Sequence, residues 1–223
     1  VQQSRVSKLA FLAGLASLVG AVFHGYAEFE HDELIARSER QSIAMSRAIA
    51  DSLAADLQSF VQSFKAASPA AIRRAPETEA LRERLKSIVA GKSILKIKVY
   101  SIDGVTVFSS EASQIGGTSS SGVDIAAVVG RRGHFSKLEH RSKFVGFDSV
   151  LLDCYVVSSY VPVSIGETVV AVLEIYSDVT ATATAVEQRH SLVAIAATAL
   201  VGVVGLWLFL PRPSRREAAS NLA

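Results

Sequence analysis

From Leu192 to Leu210 the sequence LVAIAATALVGVVGLWLFL carries no charge. About 19 residues at about 1.5 Å each give a helix of about 28 Å, the hydrocarbon thickness of a bilayer, so the stretch is expected to form a transmembrane helix. Pro211 ends it, Trp207 stands where an interfacial aromatic would sit, and Arg212, Arg215 and Arg216 follow at once, which makes this end cytoplasmic. A second apolar run, Leu9 to Phe23, reaches spanning length when continued through Ala27. Arg5 and Lys8 precede it, and the positive-inside rule places them in the cytoplasm.

Gly25-Tyr26-Ala27 also imitates a small-x-small cleavage site after an apolar core, so a cleaved signal peptide competes with a retained span. Either way residues 28–191 are exported. The expected layout is a cytoplasmic tail (1–8), a first span (9–27), an extracytoplasmic domain (28–178), a connecting helix (179–191), a second span (192–210) and the cytoplasmic start of an output region (211–223).

Composition agrees with this division. The 223 residues are 49% hydrophobic with a mean hydropathy of +0.32, high for a soluble domain. Basic and acidic residues nearly balance between Glu28 and Arg189, whereas the two ends set five Lys or Arg against Glu217 alone. With 7% aromatics and a single Trp, the chain lacks the stacking platforms of a single-strand nucleic-acid binder, and no nucleic-acid partner is expected. Cys154 is the only cysteine, so no intrachain disulfide forms, and in an apolar strand it reads as a packed thiol.

Neither Pro nor Gly interrupts Glu28 to Phe64, which predicts one long helix continuous with the first span. Ile35, Ile43, Ile49, Leu53, Leu57, Phe60 and Phe64 form its buried stripe. Ser68-Pro69 and Ala75-Pro76 read as turn punctuation, and Thr78 to Val89 as a second helix ending at Gly91. The period then changes to two. Leu95, Ile97 and Val99 alternate with Lys96, Lys98 and Tyr100, Asp103-Gly104 makes a hairpin turn, and Val105 to Ser110 returns as a strand. A loop of turn formers, Ser113 to Gly122, leads to a short apolar helix near Val123 to Val129. Strands follow around His134 to Ser142, Val150 to Val163 and Thr168 to Ser177, the last two joined at Ile165-Gly166-Glu167, and Asp178 opens the connecting helix. The fold class is α+β: a long N-terminal helix packed on an antiparallel sheet of about five strands, flanked by two transmembrane helices.

Two stretches carry a resemblance. Val99-Tyr100-Ser101-Ile102-Asp103-Gly104 with Val107-Phe108-Ser109-Ser110 and Gln114-Ile115-Gly116 looks like the central hairpin and following loop of single Cache domains, the extracellular PAS-like sensors. Ser159 to Val163, leading to Val169 through Thr180, is similar to that family's final strands and exit helix, with Ala171 where similar sequences often have Gly. The resemblance implies a sensor that precedes a histidine kinase, diguanylate cyclase or chemoreceptor signalling module, which is expected beyond Ala223. No ligand-specifying motif of the amino-acid-binding type is recognised.

The densest charge, Arg131, Arg132, His134, Lys137, His140, Arg141 and Lys143, reads either as a cationic lining for an anionic ligand or as a solvated edge strand protected by charge. Tyr100, Tyr155, Tyr160 and Tyr176 fall on predicted strands, where a ring can line a pocket or simply fill the core. Tyr100, Arg132, Arg141, Tyr155 and Tyr160 are the expected ligand contacts. His134 and His140 lie about 20 Å apart along an extended strand and cannot share an ion, so no metal is expected, and no cofactor. Without a nucleophile elbow or a phosphate loop, no catalysis is expected within this chain.

The expected function is an extracytoplasmic input module that binds a small, anionic solute, as a homodimer in contact with membrane lipid, in the bacterial inner membrane. The alternative is a membrane-anchored structural or partner-binding envelope domain that transmits nothing.

Overall fold

No proline interrupts α1, which runs from Gln2 to Ser63 in the computed structural model of the chain, which describes residues 2–119, 123–147 and 149–210. The Pro211 stop, the Arg212, Arg215 and Arg216 charges, the 211–223 region and the Ser120 to Gly122 part of the loop lie outside the described residues. Two short helices follow, α2 (Pro69–Arg74) and α3 (Pro76–Val89). The first of these corrects the expected turn. Ser68 caps it by accepting from the Ala71 amide, and Pro69 stands in its first turn, where a missing N–H costs nothing.

The strands are β1 (Ile94–Tyr100), β2 (Thr106–Ser109), β3 (Phe135–Val145), β4 (Val150–Ile165) and β5 (Thr168–Asp178), with α4 (Ile125–Arg131) before β3 and α5 (Thr180–Phe209) after β5. They form one antiparallel sheet in the order β2-β1-β5-β4-β3. The α+β class, the five antiparallel strands and the long helices match the sequence expectation, with element ends shifted by a few residues. A 3-10 turn at Ala112–Gln114 is added within the loop. It delivers Gly116, at φ +92, against Pro69.

The chain divides into two compact units, residues 1–32 with 184–223, and residues 33–183. In the second, alternation gives each strand two faces, and both faces of the central strands β1 and β5 are covered. Ile49, Leu53, Leu57 and Phe60 of α1, with Leu81 and Leu85 of α3, pack on Ile97, Val99, Leu173 and Ile175. Each fully buried Leu there contributes about 1.5–3 kcal/mol over its exposed state. The opposite face carries Tyr100, Tyr160 and Val172 under Ile125 and Val128 of α4. Toward the N-terminal side of this α1 stripe the packing turns from apolar to hydroxyl: Ser38, Ser42 and Ser46 are buried, and Ser42 Oγ lies 2.8 Å from Ser159 Oγ and 3.1 Å from Ser177 Oγ.

In the first unit, α1 and α5 each contain a window long and apolar enough to cross a membrane, and neither window is buried among the described residues. Lys8 Nζ donates to the Leu208 carbonyl at 2.7 Å. Arg189 Nη1 donates to Glu30 Oε1 at 2.6 Å, and His190 Nε2 lies 3.0 Å from Glu30 Oε2. Desolvation acts to raise the Glu30 carboxyl, but its hydrogen bonds from Arg189, Tyr26 and His190 prevail and hold it below the ordinary carboxylate value.

Candidate functional site

Glu174 is a carboxylate within the apolar run Val169 to Ile175 of the central strand β5. β5 is bonded on both sides, so strand register decides what surrounds it: Lys98 of β1 stands directly opposite on one side and Tyr160 of β4 on the other. Lys98 is 3% exposed, Glu174 and Tyr160 fully buried. The Tyr100 hydroxyl donates to Glu174 Oε2 at 2.5 Å, and the Tyr160 hydroxyl donates to Oε1. Lys98 Nζ lies 3.6 Å from Oε2 and 3.4 Å from the Tyr176 hydroxyl. A buried charge persists only when it is paired and hydrogen-bonded, and this one is both.

The electrostatics follow. Burial lowers the Lys98 ammonium below its ordinary value, and the Glu174 charge pulls it back only in part. Tyr100 and Tyr176 are pushed far above theirs, by burial first and then by the Glu174 carboxylate. Next to this group, Lys96 Nζ donates to Glu111 Oε2 at 2.7 Å and lies 4.8 Å from the centre of the Phe144 ring. The Lys96 bond holds the Glu111 carboxyl below its usual range. The cluster donates and accepts among its own members, so it can hold a fixed internal charge pattern under α4.

An open cleft of about 390 Å³ lies beside it, between α4 and the start of β3. Val128 and Phe135 contribute apolar surface, and Asp124, Arg131, His134 and Lys137 contribute charge or polarity. Asp124 caps α4 by accepting from the Ala126 amide at 3.0 Å. His134 Nδ1 meets Arg47 Nη2 of α1, and Lys137 pairs with Glu139 at 2.8 Å.

The structure brings two of the five expected contacts together. Tyr100 and Tyr160 stack with ring centres 6.5 Å apart over the Glu174 carboxylate. Tyr155 is five residues from Tyr160, an odd number, so it faces the other side of the sheet, where its ring meets His140 at 4.9 Å. Arg132 is the exposed left-handed cap of α4, at φ +46. Arg141 is exposed on edge strand β3 and pairs with Glu139. Neither arginine lines the cleft; Arg131 does. His134 and His140 are likewise separate, and among the described residues no group of three or more His, Cys, Asp or Glu is placed to hold a metal.

Sequence reasoning did not single out Glu174 or Lys98 as site residues. A signal was available: a charge inside VVAVLEIYSD, in a strand apolar on both faces, must be buried and therefore needs partners.

No family model and no curated protein matches this sequence. Among solved structures it is similar to the PAS domain of BvgS from Bordetella pertussis, at 15% identity and a TM-score of 0.27, over 51% of this chain and 98% of that one. At this identity and score the likeness transfers nothing about ligand or activity.

Proposed function

We propose that this chain is the extracytoplasmic input module of a transmembrane signal transducer of the Cache type, passing the occupancy of its sheet domain to the helices that continue it. One observation carries the reading. β5 ends at Asp178 and α5 begins at Thr180, so a single residue separates the central strand bearing Glu174 from a helix long and apolar enough to cross a membrane. Asp178 Oδ1 accepts from the Thr180 amide at 2.9 Å and from its hydroxyl at 2.6 Å, which fixes that junction.

A solute that binds one arrangement of the sheet more tightly than another shifts the equilibrium by that difference in affinity and no more. The response needs no ligand in the membrane. As a homodimer in the inner membrane, with the sheet domain outside, the module would move its α5 helices relative to each other by a small piston or rotation.

Alkaline phosphatase inserted at Ser119 should be active, and fused at Ser220 inactive; the reverse pattern removes the sensor reading. Cysteines at Thr182 and Val186 should then change their crosslinking when a stabilising solute is added. A solute that stabilises the domain and leaves the crosslinks unchanged favours an anchored envelope domain without output.

A further inference from the structure

Cations from two elements line the cleft between α4 and β3, and a third touches its wall. Arg131 comes from α4, Lys137 from β3, and Arg47 of α1 reaches His134 at the cleft wall. Two carboxylates stand nearby: Asp124, which lines the cleft and accepts from the Ala126 amide, and Glu139, which pairs with Lys137 and Arg141. Charges protecting an edge strand need lie only on that strand, yet two of these arginines come from helices.

His134 sharpens the point. A guanidinium only donates, so in this contact the acceptor is His134 Nδ1, and Nε2 is the ring nitrogen the contact leaves for a ligand. Val128 and Phe135 offer apolar surface to the rest of a small molecule, and about 390 Å³ is the size of a small-solute site.

The geometry points to this cleft as the binding site for the anionic oxygen group, carboxylate or phosphate, of a small solute, held by Arg131, His134 and Lys137. This deepens the sensor reading and rests on it. It also separates the site from the buried Glu174 cluster, where a carboxylate of the chain itself already takes the tyrosine hydroxyls.

The test is calorimetric titration of the full chain in lipid nanodiscs with succinate, with inorganic phosphate and with uncharged succinamide. Succinate or phosphate should bind and succinamide should not; which anion binds identifies the group. Arg131→Ala and Lys137→Ala should each weaken binding by about tenfold, the worth of one charge-assisted hydrogen bond, and Arg141→Ala, outside the cleft, by less than about twofold. Equal loss in Arg141→Ala, or no binding of either anion, overturns the assignment. Succinamide binding that Arg131→Ala weakens would overturn the anion class while leaving the sensor reading intact, because that reading stands or falls separately on the phosphatase fusions and the α5 crosslinks.

Discussion

Lys98 and Glu174 face each other across the β1–β5 ladder, both buried, with the ammonium 3.6 Å from the carboxylate. Neither charge reaches water, so each depends on the other and on the hydroxyls of Tyr100, Tyr160 and Tyr176.

Removing one partner should therefore cost more than removing both. Glu174→Ala is expected to destabilise residues 33–183 by about 3–5 kcal/mol, because Lys98 is left as a buried unpaired charge. Lys98→Met combined with Glu174→Leu should restore part of that loss. Urea titrations of the full chain in detergent, followed by tyrosine fluorescence, measure both; a double variant as unstable as the sum of the singles would refute the coupling.

The same burial sets an alkaline limit. Tyr100 and Tyr176 keep their protons in the folded state well above 10.0, whereas the unfolded chain begins to release them there. Above about pH 10 the folded state thus holds more protons, and stability falls as pH rises. Lys98 acts oppositely: its lowered folded value means that the unfolded chain holds the extra proton below 10.5, so its contribution rises with pH. In a Lys98→Met background the fall above about pH 10 should steepen, and Tyr176→Phe added to it should flatten the fall again, as read by urea midpoints from about pH 8 to about pH 11.

Two buried serines on α1 should respond in opposite directions. Ser42 Oγ lies within hydrogen-bond distance of Ser159 and Ser177, so Ser42→Ala strands buried hydroxyls and should cost about 1–3 kcal/mol. Ser46 Oγ is buried with no hydrogen-bond partner among the described residues, so Ser46→Ala removes an unmet polar group and should be neutral or stabilising by about 1 kcal/mol. Thermal denaturation of the two variants side by side decides it.

Two glycines with positive φ separate steric from backbone effects. A Cβ on Gly116 would run into the Pro69 ring, whereas one on Gly166 meets nothing within 4 Å among the described residues. Gly166→Ala should cost only the left-handed backbone penalty of about 1–2 kcal/mol. Gly116→Ala should cost clearly more, since a proline ring cannot fold away, and equal midpoints for the two would contradict the contact.

What the sequence determined by itself was local. The uninterrupted helix of α1, the alternation of β1, the Asp103-Gly104 turn with Gly104 at φ +82 and the long apolar run of α5 all follow from period, turn chemistry and the placing of Pro and Gly. Even the separation of Tyr155 from Tyr160 was legible, because an odd spacing puts two strand residues on opposite faces. α2 was hidden because Pro69 looks the same opening a helix as marking a turn. The site was decided only by tertiary structure. Nothing local places β5 between β1 and β4, and that order, with its register, seats Glu174 between Lys98 and Tyr160 and brings Tyr100 from 74 residues away onto the same carboxylate. The cleft has the same origin: Arg47 and His134 are 87 residues apart, and they meet only because the fold sets α1 beside the start of β3.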